Sequence, residues 1–140
     1  MGTARDLSER AWKAFESQDF AAFPQLFAAD AEFVYPGGVV LHGPAELEPF
    51  IRGYWEAAPD LHVEELGYIE SGEDVAVELR IRGTHTGTLH TPGGDVPATG
   101  AALFIESVDF IRTRDGKIQS WHVYYDSVPM LQSLGLMPAG

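Results

Sequence analysis

The sequence predicts an α+β fold: a curved, mixed or antiparallel sheet wrapped over three N-terminal helices, with a short C-terminal helix closing the chain. Three observations carry this reading. Apolar residues recur at helical spacing as far as Tyr54 and Trp55. After Pro59 the period changes to the alternation of strands. The later segments are joined by the tight-turn signals Ser71-Gly72 and Asp115-Gly116. Helices first and strands afterwards is an α+β order, and a sheet curved over helices makes a cone closed at one end. The length of 140 residues fits one domain over residues 1–140, large enough to bury a core without covalent staples.

Each element has its own justification. Leu7, Ala11, Ala14 and Phe15, with Trp12 beside them, predict a helix from Leu7 to Ser17. Asp19 is placed to cap a second, short helix through Phe20, Phe23 and Phe27, with Pro24 in its first turn where a missing N–H costs least. Ala31 to Tyr35 reads as a short strand ended by Pro36-Gly37-Gly38. Leu47, Phe50, Ile51, Tyr54 and Trp55 form the stripe of a third helix, which Pro49 should delay or kink. Leu61 and Val63 hold one strand phase while Leu66 and Tyr68 hold the other, predicting a bulge near Glu64-Glu65. Val75, Val77, Leu79 and Ile81 alternate with Ala76, Glu78, Arg80 and Arg82, the pattern of a half-buried strand. Gly87 to Gly100 reads as a rim or lid loop. Long strands from Ala101 to Thr113 and from Lys117 to Asp126 follow, then a short helix with Gly135 as its stop.

Composition excludes several functions. There are no cysteines, so disulfides, thiolate metal sites and cysteine nucleophiles are absent. A formal charge of −12 with nine scattered Lys and Arg argues against nucleic acid, and reads as a soluble, self-repelling surface. No apolar run reaches the roughly 18 residues needed to cross a bilayer, so no membrane partner is expected. The N-terminus lacks a signal-peptide pattern, and a cytoplasmic protein is predicted. The five histidines lack three-ligand spacing, so no metal is expected. No Gly-rich phosphate loop and no nucleophile elbow occur.

The end of the last strand draws attention. Along it His122, Tyr124 and Asp126 share one face by alternation, which puts an imidazole, a phenol and a carboxylate in line. If that face looks into a pocket, Asp126 is the natural acid/base. The other role open to Asp126 is to cap the final helix through its backbone N–H groups. His85 lies at a strand end between threonines and glycines, where it either lines a pocket or bonds backbone. His42 is expected to order the loop before Gly43-Pro44, and His62 and His90 to lie on the surface or rim.

The order of elements resembles the NTF2-like cone, and several stretches are similar to its SnoaL-like polyketide cyclase branch. These are Leu41-His42-Gly43-Pro44, Ala58-Pro59-Asp60-Leu61, Gly83-Thr84-His85-Thr86-Gly87, Asp115-Gly116-Lys117-Ile118, and Asp126 with Gln132-Ser133-Leu134-Gly135. The resemblance spans nearly the whole chain. It implies cofactor-free chemistry on a hydrophobic carbonyl compound, with one aspartate near the end of the last strand as acid/base for an intramolecular aldol closure. Asp126 holds that position, and the nearest counterpart to a histidine that such cyclases carry on the preceding strand is Arg112. Other members of the fold isomerise, hydrate, assist hydroxylation or only bind ligands.

Residue chemistry gives a parallel expectation. Removing a proton alpha to a ketone needs a carboxylate made basic by apolar surroundings, and a hydrogen-bond donor for the enolate oxygen. Asp126 with His122, His85 or Tyr124 supplies these types. Trp12, Phe15, Phe33, Tyr35, Phe50, Tyr54 and Trp55 supply a dry, flat-sided cavity. Two functions stay open: a small cofactor-independent enzyme, cyclising or isomerising a hydrophobic carbonyl compound, and a non-catalytic binding or assembly domain. An outward sheet face mixing Glu78, Arg80 and Arg82 with apolar neighbours, together with the resemblance, predicts a homodimer or higher homo-oligomer.

Overall fold

The computed structural model describes residues 3–91 and 94–138. Helix α1 (Thr3–Glu16) is followed by a 3-10 turn (Phe20–Ala22) and a single-turn helix α2 (Phe23–Leu26) with Pro24 in its first turn. Asp19 precedes the 3-10 turn but makes no side-chain cap bond, contrary to expectation. Phe27 does not end that helix. It opens strand β1 (Phe27–Tyr35), longer than the segment predicted from Ala31. Pro36-Gly37-Gly38 then reverses the chain into β2 (Val39–His42), an unpredicted strand paired antiparallel to β1.

Helix α3 (Gly43–Ala57) runs through Pro49 instead of starting late. Its early start has a local cause. The Glu46 carboxylate accepts the His42 backbone N–H at 2.8 Å, satisfying a donor at the helix start. Gly43 sits at φ +78°, where a Cβ would stand 2.4 Å from the Ala29 carbonyl oxygen, so only glycine fits the junction.

Strands β3 (His62–Ser71), β4 (Asp74–Thr84), β7 (Ala102–Arg114) and β8 (Lys117–Tyr125) form the rest of a six-stranded sheet ordered β2-β1-β8-β7-β4-β3. Only the β1–β8 pairing is parallel, so the sheet is mixed. The bulge predicted in β3 is present, as Glu65 faces Leu79 while Gly67 faces Glu78, leaving Leu66 extra. Both predicted tight turns occur, with Ser71 opposite Asp74 and Arg114 opposite Lys117. Asp115 and Gly116 take φ 53° and 73°, the left-handed pair of a two-residue hairpin. The 87–100 loop carries its own hairpin, β5 (Leu89–Thr91) and β6 (Gly94–Val96). Helix α4 (Val128–Ser133) ends at Gly135, whose φ is +75°.

The concave face of the sheet packs on the helices. Val75, Val77 and Leu79 of β4 point inward as predicted and meet Leu7, Ala11 and Phe15 in one buried cluster. A smaller cluster of Ala58, Leu103 and Leu134 fixes α4 and the start of β7 together. The result is the α+β cone expected of the sequence, and its helix–sheet interior does not close completely.

Candidate active site

A cavity of about 690 Å³ occupies the interior of the cone. It is lined by the aromatic rings of Trp12, Phe15, Phe27, Phe33, Tyr35, Phe50 and Tyr54, and also by Leu89, His90, Met130 and Leu131. Six of the seven expected aromatics therefore border it. Trp55 does not. It packs on Phe15 with ring centroids 5.3 Å apart.

The strand face expected to look into this cavity is the outer one. Strand β8 lines the cavity with Trp121, Val123 and Tyr125, while His122, Tyr124 and Asp126 alternate to the opposite side. A second bulge causes this. Thr113 faces Ile118 whereas Arg112 faces Ser120, so Gln119 is an extra residue. One added residue turns every later side chain to the other face. Ile118 is buried, and so is Trp121 three residues on.

The predicted residues on that outer side have other partners. Asp126 is exposed, and its Oδ1 accepts the Val128 N–H at 3.0 Å at the start of α4, one residue ahead of the N-cap position, Ser127. His122 Nε2 lies 2.9 Å from Glu32 Oε1. Tyr124 is exposed. Arg112 is also on the outer face, with its guanidinium over the Phe110 ring. His85 is fully buried but is not among the cavity-lining residues, and its Nδ1 bonds Thr99. His90 borders the rim between Asp95, at 2.7 Å, and Glu56, at 3.3 Å. The Asp95 hydrogen bond, with the charges of Asp95 and Glu56, raises its pKa above the ordinary imidazole value.

Two carboxylates of the described residues line the cavity, the exposed Glu46 of α3 and the buried Asp109 of β7. Asp109 is 1 % exposed. Trp121 Nε1 donates to its Oδ2 at 2.7 Å, and Ser107 Oγ donates to its Oδ1 at 2.9 Å. Burial pushes its pKa up to about 7, opposed by the Trp121 and Ser107 bonds, which favour the charged form. Desolvation wins because, among the described residues, no Lys or Arg lines the cavity. Three phenols share the space. Tyr35 is held well above its ordinary pKa by burial first, then by the charge of Asp109 and the proximity of Tyr125. Tyr54 and Tyr125 interact phenol to phenol, and burial raises both. At neutral pH the cavity thus offers one carboxyl group poised between its two forms, beside protonated phenols that can donate.

Asp109 left a trace in the sequence. On β7 it shares a phase with Leu103, Ile105 and Ile111, an acid set among inward apolar residues. The opposite phase, Phe104, Val108 and Phe110, is also apolar, so alternation alone did not show which side was inside.

Among the described residues, no group of three or more His, Asp or Glu could hold a metal ion. None of the described helices is long and apolar enough to cross a membrane.

A family model for the SnoaL-like domain matches residues 8–121. The chain is 30% identical over 143 aligned positions to the aklanonic acid methyl ester cyclase DnrD of Streptomyces peucetius, covering 96% of this chain and 92% of that protein. Among solved structures, a Jannaschia protein assigned to the SnoaL-like polyketide cyclases superposes with a TM-score of 0.84 at 17% identity, covering 97% of this chain and 94% of that one. An NTF2-like protein of Burkholderia pseudomallei gives 0.78 at 20% identity, covering 96% and 98%. The cone is the NTF2-like fold, and the chain belongs to the SnoaL-like family.

Proposed function

We propose that this chain is a cofactor-independent enzyme that cyclises or isomerises a hydrophobic, polyketide-like carbonyl compound, with Asp109 as its acid/base. The observation that carries the reading is a buried carboxylate in an aromatic cavity, with a pKa raised to about 7. A base of that strength is ionised often enough to work at neutral pH, yet strong enough to take a proton alpha to a ketone. The Asp109 carboxylate removes that proton, and a phenol from Tyr35 or Tyr125 donates to the enolate oxygen. In an aldol closure the enolate carbon then attacks a second carbonyl of the same molecule. The protonated Asp109 gives its proton to the new alkoxide, so nothing is consumed. In an isomerisation the same proton returns to a different carbon. The similarity to DnrD, a protein named as a methyl ester cyclase, supports the cyclisation form.

The role expected of Asp126 moves to Asp109 because Asp126 does not border the cavity, and of the two lining acids Asp109 is buried while Glu46 is exposed and accepts the His42 N–H. The test is Asp109→Asn against a panel of polyketide-like ketones. Loss of turnover with retained ligand binding is expected. Unchanged turnover would overturn the assignment, and ligand binding without turnover in the wild type would favour a binding domain.

A homodimer or higher assembly belongs to the same proposal. Phe104, Val108, Phe110 and Tyr124 are exposed on the outer sheet face beside Arg80, Arg82 and Glu106. Such a mixed apolar and charged face is suited to pairing with its own copy. Light scattering during size-exclusion chromatography checks this, and a monomer would sink it.

A further inference from the structure

The 85–101 region is built around one buried histidine. His85 is 0% exposed, and its backbone is tied into the sheet edge: its N–H donates to the Ala101 carbonyl at 2.9 Å, and its own carbonyl accepts the Gly100 N–H at 2.8 Å. The ring adds a second tie. Nδ1 stands 2.9 Å from Thr99 Oγ1 and accepts the Thr99 N–H at 3.3 Å. Thr99 Oγ1 in turn accepts the Ala101 N–H at 3.2 Å, so the ring, Thr99 and Ala101 form one chain of hydrogen bonds. Both Thr99 contacts converge on Nδ1, while Nε2 is buried without a hydrogen-bond partner among the described residues.

The departing leg is held differently. Thr86 N–H and Gly87 N–H both donate to the Ala57 carbonyl at 3.0 Å, at the end of α3. A Cβ on Gly87 would stand 1.9 Å from the Glu56 carbonyl oxygen, so this leg presses directly on the helix. Two cavity-wall residues hang from these legs, Leu89 on the departing side and Leu103 on the returning side. They meet in the small cluster with Ala58 and Leu134.

We infer that His85 is a positioning residue for the ligand cavity: its ring, through Nδ1, pins the Thr99–Ala101 leg and so sets Leu103, against whose cluster Leu89 packs, in the cavity wall. It does not touch the cavity, so it acts through these residues. The assignment rests on the cavity being the ligand site and not on the chemistry of Asp109.

The imidazole offers a clean substitution test. An asparagine amide places its oxygen near the Nδ1 position, and a leucine fills similar space with no acceptor. His85→Asn, His85→Leu and Thr99→Val are compared with the wild type in two measurements. One is the affinity for a neutral dihydroxyanthraquinone, read by quenching of Trp12 and Trp121, which border the cavity. The other is amide exchange at Gly100 and Ala101. His85→Leu and Thr99→Val should weaken probe binding by about tenfold and speed exchange at both amides, whereas His85→Asn should stay within about threefold of the wild type. If His85→Asn is as impaired as His85→Leu, ring packing and not the Nδ1 bond sets the wall, and the inference fails. It fails equally if neither His85→Leu nor Thr99→Val changes binding or exchange. Should His85→Leu not fold, Thr99→Val carries the comparison through probe binding and Gly100 exchange, because Thr99 is exposed and its hydroxyl bonds the Ala101 N–H directly. Turnover enters neither measurement, so a failure of the Asp109 proposal leaves this result readable.

Discussion

Trp121 Nε1 donates to Asp109 Oδ2 at 2.7 Å, tying the buried carboxylate of β7 to the neighbouring strand. Two opposed effects meet in that bond. The apolar cavity holds the carboxyl in its neutral form, and the indole N–H draws it back toward ionisation. Desolvation is the larger, which leaves the group titrating near neutrality.

Asp109→Asn should abolish acid/base turnover, with a loss of at least about 100-fold, the lower end of what a positioned acid/base contributes. Its effect on stability should have the opposite sign. Asparagine can accept from Trp121 through its oxygen and donate to Ser107 through its amide, so the local bonds survive. In the wild type the folded state holds the Asp109 proton more tightly than the unfolded chain does. Stability must therefore fall as pH rises from the ordinary carboxyl pKa of 3.8 to about 7, and stay level above it. The total is roughly 4 kcal/mol at 1.36 kcal/mol per pH unit. Urea unfolding across that range should show the slope in the wild type and its loss in the variant, which becomes the more stable protein above pH 7.

Trp121→Phe should move the same titration upward. Without the indole donor the ionised carboxylate loses one charge-assisted bond, commonly about 1.5–3 kcal/mol, equivalent to roughly one to two pH units. The rate profile for kcat/KM should rise with pH about a midpoint near 7 in the wild type, because the base form is required. In Trp121→Phe that midpoint should lie at higher pH. Ser107→Ala should shift it in the same direction. A midpoint displaced toward acid would mean that some other group sets the profile.

Asp126 yields the complementary expectation. Its carboxylate sits outside the cavity and accepts the Val128 N–H. Asp126→Asn keeps an acceptor there and should leave turnover within about twofold, as expected of a surface change. Asp126→Ala should cost no more than about 0.5–1.5 kcal/mol in thermal or denaturant unfolding, the net worth of one hydrogen bond at the helix start. A collapse of turnover in Asp126→Asn with an intact fold would restore Asp126 as the acid/base.

The contrast between these two aspartates shows where sequence reasoning reached and where it stopped. Element order, the β3 bulge, both hairpin turns and the Gly135 stop were legible because each leaves a local signature in residue type or period. Val75, Val77 and Leu79 declared their face because the alternate positions carry Glu78, Arg80 and Arg82. The β8 face was not legible, since Gln119 adds one residue without any glycine or proline to mark it. The β1–β2 hairpin was hidden for a related reason: β2 is only four residues long and half exposed. The aromatic lining was largely predicted because helix periodicity directs Trp12, Phe15, Phe50 and Tyr54, and strand alternation directs Phe33 and Tyr35. Which acid enters it depended on strand phase, which only the assembled sheet decides.

His90 supplies a prediction at the cavity rim. Its ring bridges Asp95 on β6 and Glu56 on α3, so the protonated form ties the β5–β6 hairpin to the helix. The Asp95 hydrogen bond is the largest cause of its raised pKa, followed by the charges of Asp95 and Glu56. An NMR titration should therefore place the His90 midpoint above the ordinary 6.5, and Asp95→Asn should lower it more than Glu56→Gln does. A histidine with a raised folded-state pKa contributes fully below its unfolded pKa and loses that contribution as pH rises through the raised value. All three side chains are at least half exposed, so solvent screening keeps the effect local. It should be read in the hairpin itself, where Leu89 pairs with Val96, as weaker amide protection on the alkaline side relative to a His90→Gln control. Equal protection in His90→Gln and the wild type on both sides of the titration would show that the ion pairs do not hold the rim.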